Sequence, residues 1–152
     1  VRRLNHLYRQ TPALYQIDDS WDGFKWVCAD DKERSITGFI RTDRAGECIL
    51  CVTNWTPAFY PAYDIFLPEA GSLREMLNTD AVSFGGSGKG NPEAITTAPV
   101  EKPQRQSAEF PSESLPWSAR ICVPPLSTVY YEYQKGNASS AAKHNKGIEE
   151  TN

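Results

Sequence analysis

Residues 23–57 read GFKWVCADDKERSITGFIRTDRAGECILCVTNWTP, and three apolar runs inside them decide the fold. Residues 24–29, 35–41 and 47–54 are each too short for a core helix and are bounded by Gly, Asp, Asn or Pro, so they read as strands. In the second run Ile36, Gly38 and Ile40 point one way and Phe39 the other, the period of a half-buried strand. The third is almost continuously apolar, as a strand covered on both faces would be. Between the first two, DDKER (residues 30–34) reads as a solvated turn.

The same pattern continues outward. Residues 62–67 set Tyr63, Ile65 and Leu67 against Asp64 and Phe66, residues 71–77 follow, and residues 119–123 and 128–133 flank Pro124-Pro125. Short strands between turn clusters predict an all-β fold, an antiparallel sandwich. Residues 80–116, rich in Gly, Pro and Ser, read as long irregular loops with at most one short strand. Ahead of the sandwich, Leu4, Leu7 and Tyr8 share one face of a short helix that Pro12 stops. Its apolar face asks for a partner outside the β-rich part, or else packs back on the sheet. That helix, with the lack of an initiator Met, is read as the mark of a chain cut from a larger protein.

Composition narrows the function classes. Among 152 residues, 16 Lys and Arg stand against 19 Asp and Glu, so a net charge of −3 argues against nucleic acid as a partner. No apolar run approaches the length of a membrane span, which leaves a soluble, cytoplasmic protein as the expectation. The four cysteines, Cys28, Cys48, Cys51 and Cys122, are too few for a disulfide scaffold. Cys48 and Cys51 form a lone CxxC on a strand, where their side chains leave opposite faces, so buried free thiols are expected and no metal.

No catalytic constellation is visible, and no cofactor is implied. The only histidines, His6 and His144, lie at the two ends, and the acidic clusters are local. The glycine-rich FGGSGKGN (residues 84–91) lacks the Ser or Thr that should follow the lysine of a phosphate loop, so it reads as a surface loop. Aromatic residues are the more informative group. WDGFKW (residues 21–26) and NWTPAFYPAY (residues 54–63) could stack on the C–H face of a sugar ring or fill the core. Trp55 and Tyr63, within strand-like runs, are read as core; Trp21 and Trp26 stay open between the two roles.

Taken together, six motifs in one order resemble the C-terminal end of the bacterial 1,4-α-glucan (glycogen) branching enzymes. They are LNHLYRQTPAL (residues 4–14), Gly23 to Trp26 with Asp30-Asp31 behind, Ser35 to Arg41, Asn54 to Pro57, Leu77 to Asp80 with the glycine loop to Asn91, and Pro124 to Thr128. The resemblance covers residues 2 to 133; residues 91–116 match it poorly, and AFYPAY stands where the family commonly has a basic residue.

The resemblance implies that residues 1–20 end a catalytic (β/α)8 barrel, that residues 21–134 form the C-terminal β-sandwich, and that residues 135–152 are a disordered tail. It implies a whole enzyme that passes an α-1,4-glucan segment to a 6-hydroxyl, with the catalytic carboxylates outside this chain. The implied partners are α-glucan and the enzyme's own barrel, and the isolated chain is expected to be inactive. Trp26 is the first candidate for a sugar contact, followed by Trp21 and Phe24, with packing at the domain interface as the competing role. A carbohydrate-binding sandwich acting alone, or the tail of another α-amylase-family enzyme, are the alternatives.

Overall fold

The computed structural model describes residues 1–104 and 114–136. It opens with helix α1 (Arg2–Gln10), and nine strands follow among the described residues: β1 (Phe24–Asp31), β2 (Ile36–Thr42), β3 (Cys48–Asn54), β4 (Tyr60–Leu67), β5 (Gly71–Asn78), β6 (Ile95–Thr96), β7 (Ala98–Gln104), β8 (Leu115–Val123) and β9 (Ser127–Lys135). They form two antiparallel sheets, ordered β1-β2-β3-β9-β5-β6 and β4-β8-β7. The expected antiparallel sandwich is what the chain forms.

Side-chain alternation explains the layering. Ile36, Gly38 and Ile40 of β2 face inward, as the sequence pattern predicts, and β3 is buried on both faces except at Thr53. Ile40, Leu50, Leu73 and Tyr131 of the larger sheet meet Tyr63, Ile65, Leu67 and Ile121 of the smaller one in a single core cluster. The tyrosines enter this core because their hydroxyls find partners; Tyr133, for example, donates to the Glu69 carbonyl at 2.5 Å.

Three expectations need correction. Residues 80–116 hold two strands, β6 and β7, and the start of β8, more than a loop with one strand. Pro99 and Pro103 disguised β7, yet β7 is an edge strand, where a missing N–H costs the ladder little. Trp55 is not core: it is 66% exposed. The inward position falls one residue earlier, on Asn54, whose amide donates to the carbonyls of Ala58 (2.8 Å) and Pro124 (3.0 Å). Cysteine burial is mixed, since Cys48 and Cys51 are buried while Cys28 and Cys122 are half-buried; all four are free. Cys48 belongs to the core cluster and Cys51 lies across from Tyr130, so the pair does leave opposite faces.

Helix α1 lies over the outer face of the larger sheet. Leu4, Leu7 and Tyr8 look across a gap of about 200 Å3 at Phe39 and Tyr130, and no residue of the helix is buried. Strand β9 runs through Lys135, while residues 137–152, most of the expected tail, lie outside the described residues.

Candidate functional site: an aromatic cavity on the outer sheet face

The outer face of β1 and β2 carries the site. Phe24 and Trp26, two residues apart on β1, project from the same face, and their register partners on β2 are Arg41 and Phe39. Trp21 comes from a single 3-10 turn, Trp21–Gly23, just ahead of β1. Phe24 is the hub: its ring lies 5.0 Å from Trp26 edge-on, 5.1 Å from Phe39 stacked, and 6.0 Å from Trp21 edge-on. The three residues singled out from the sequence, Trp26, Trp21 and Phe24, therefore converge, and with Asp18, Asp19, Ser20 and Arg41 they line a cavity of about 410 Å3.

The polar wall is built by Arg41. Its guanidinium donates to the carbonyls of Ala13 (3.4 Å) and Ile17 (3.1 Å) and to the Asp18 carboxylate (2.9 Å). This fixes the linker between α1 and β1 against the sheet and sets Asp18 at the cavity rim. Trp21 is 78% exposed while Trp26 is half-buried, so one ring stands free and the other forms the floor. Flat apolar faces beside carboxylate acceptors and a guanidinium donor suit a neutral polyol, whose C–H faces stack and whose hydroxyls bond at the rim.

Acid–base chemistry has no footing in the other polar clusters. Tyr63 donates to Asp31 Oδ2 at 2.8 Å, lies 3.3 Å from Cys28 Sγ, and has the Arg34 guanidinium 5.6 Å from its ring centre. Burial pushes the Tyr63 hydroxyl far up, so it stays protonated. Burial also pushes the Asp31 carboxyl up, but hydrogen bonds from Tyr63 and Arg34 outweigh it and hold the carboxyl below its ordinary range. The network is a lock between the β1–β2 hairpin and β4. Burial pushes the Cys51 thiol up to about 12, which makes it inert as a nucleophile. Among the described residues no group of three or more His, Cys, Asp or Glu is placed to hold a metal ion.

The glycine loop is accounted for by the protein itself. Ser87 N–H (3.0 Å) and the Ser87 hydroxyl bond the Asp80 carboxylate, and Gly88 N–H bonds the Asp80 carbonyl at 2.8 Å. Amides that a phosphate loop would aim outward are turned onto Asp80. Asn91, at the loop's end, donates to the Cys122 carbonyl (2.9 Å) and Tyr131 hydroxyl (2.8 Å) and accepts from Cys122 N–H (2.8 Å). Sequence reasoning missed both this clasp and the Tyr63 lock, because their partners lie tens of residues apart.

A two-layer antiparallel sandwich with a short helix ahead of it, and an aromatic cavity between the linker and the outer face of β1 and β2, defines an all-β domain. Residues 26–134 match the alpha amylase C-terminal all-beta domain, and the chain belongs to that family. It is 42% identical over 132 residues to the 1,4-alpha-glucan branching enzyme GlgB of Rhizobium meliloti (strain 1021), covering 87% of this chain and 16% of that protein. It is 37% identical over 130 residues to the protein of that name from Burkholderia vietnamiensis, covering 86% and 16%. With that of Cupriavidus pinatubonensis the identity is 40% over 135 residues, covering 88% and 17%. The chain thus spans about a sixth of the length of these curated relatives. Among the described residues no helix is long and apolar enough to cross a membrane.

Proposed function

We propose that this chain is the C-terminal β-domain of a cytoplasmic 1,4-α-glucan branching enzyme, and that its own work is to hold α-glucan and to brace the catalytic barrel. The convergence of Trp21, Phe24 and Trp26 with Asp18 and Arg41 in one cavity carries the glucan reading. Rings supply stacking surfaces and the rim supplies hydroxyl partners, a combination that favours a neutral sugar chain over an anionic one. The names of the relatives support α-1,4-glucan as that chain. Four free thiols support a reducing, cytoplasmic setting.

Bracing is supported by α1. The helix buries none of its residues, and Leu4 and Tyr8 remain 41% and 50% exposed although they face the sheet, so apolar surface is left for a barrel to cover. Retaining glucan transfer needs two carboxyls about 5 Å apart across the scissile bond. Asp18 and Asp19, the carboxylates at the cavity, instead sit side by side on the exposed linker, which supports a chemical step carried by the barrel and an isolated chain that forms no branches.

Affinity electrophoresis tests the reading. The chain should be retarded in a native gel containing glycogen, and Trp26→Ala should weaken binding about tenfold, the effect of losing about 1.4 kcal/mol of ring contact. Equal mobility with and without glycogen would remove glucan binding from the domain and leave bracing alone.

A further inference from the structure

Trp55, the residue after β3, reaches the start of β2 on the same outer face. Its backbone N–H donates to the Ser35 carbonyl at 3.1 Å and its indole N–H to Thr37 Oγ1 at 3.1 Å. Ser35 takes a left-handed φ of 52° in the β1–β2 turn. Held at backbone and ring, Trp55 is still 66% exposed. A ligand that stacks on it meets a ring whose rotamer is already set, so little side-chain entropy is left to lose.

Position matters as much as exposure. Thr37, Phe39 and Arg41 alternate with the buried Ile36, Gly38 and Ile40, and so share the outer face. Trp55 is bonded to the first, Trp26 lies across from the second, and Phe24 across from the third. The β2 residues beside the three rings are therefore successive on one face, about 7 Å apart along the strand, with the Phe24 and Trp26 rings themselves in contact at 5.0 Å. Beside Trp55, Thr37 is paired with Thr53 and Thr53 with Thr128, whose hydroxyls bond each other at 2.9 Å. A row of hydroxyls thus borders the ring.

We propose that Trp55 is the distal platform of an elongated α-glucan strip that begins at the Trp21, Phe24 and Trp26 cavity and runs up the outer edge of β1 and β2. The inference rests on the reading that the cavity takes glucan. Glucan is the occupant because Thr37, which holds Trp55, shares its face of β2 with Phe39 and Arg41 of the cavity side, and because threonine hydroxyls border the ring. Its consequence is dependence on chain length. A short oligosaccharide occupies the cavity alone, and a longer one also covers Trp55.

Titration calorimetry with maltotriose and maltoheptaose, on the full 152-residue chain, on Trp26→Ala and on Trp55→Ala, tests this. Trp26→Ala should weaken both sugars, while Trp55→Ala should weaken maltoheptaose about five- to tenfold and leave maltotriose unchanged. If the unaltered chain binds neither sugar, the cavity reading fails and the strip with it. If Trp26→Ala weakens both and Trp55→Ala neither, the strip alone is overturned. An equal loss of both sugars in Trp55→Ala overturns it as well, because the two platforms would then not be successive. Should Trp55→Ala melt early, oxidation of the unaltered chain by N-bromosuccinimide, read by peptide mass spectrometry, decides the point. Maltoheptaose should protect Trp55 and maltotriose should not; equal oxidation with both sugars present rejects the strip.

Discussion

Gly23, just ahead of β1, packs tightly against Ile17 of the linker. A Cβ there would meet Ile17 Cβ at 2.6 Å and the Ile17 carbonyl oxygen closer still. The same carbonyl accepts from Arg41, so any shift at residue 17 moves the polar wall of the cavity. Gly23→Ala should therefore destabilise the chain by about 1–3 kcal/mol, the usual cost of overpacking, and weaken retardation by glycogen. Urea denaturation measures the first effect, and an unchanged midpoint would show that the linker yields freely. At this scale the sequence was a partial guide. The alternation in residues 36–40 disclosed which side chains of β2 face inward, and WDGFKW disclosed the three cavity rings. Trp55 was misread because the apolar run CILCVTNW gives no sign that the core layer ends at Asn54.

Strand β3 and the glycine loop show two ways in which an element gains its place. Continuous apolar residues predicted that β3 would be covered on both faces, and β2 and β9 flank it in register over its whole length. The loop between β5 and β6 instead depends on the polar groups of Asn91, which join β8 and β9. Asn91→Ala removes the acceptor of the Cys122 N–H and the bond to the Tyr131 hydroxyl. The expected loss is about 1–3 kcal/mol, with faster tryptic cleavage after Lys89. Calorimetry and timed digestion would reveal it, and an unaltered digestion rate would mean that Asp80, with Asn78 on the Lys89 carbonyl and Glu75 on the Asn91 N–H, holds the loop without the Asn91 side chain. Strand β7 shows the limit of element reading. Prolines that argue against a strand are tolerated once the strand lies at an edge, and edge position is a property of the sheet.

The molecule divides into a sandwich with a shared core and a helix laid on its outside. Because α1 buries none of its residues, removing residues 1–10 should lower the unfolding free energy by about 1 kcal/mol or less. The transition should stay cooperative, since both sheets contribute to one cluster. A larger loss by thermal melting would mean that the helix is part of the core unit. The contrast lies just beyond: Ala13 is buried and its carbonyl accepts from Arg41, so the linker is held to the sandwich where the helix buries nothing. Sequence by itself determined the antiparallel β class, the inward residues of the strands and the stretch that holds the cavity rings, because side-chain period and turn chemistry are local. Only the tertiary structure decided the strand order, the Arg41 wall, the Asn91 clasp and the exposure of Trp55. Each of these depends on which distant segments meet, and that is settled by the packing of the two sheets as a whole.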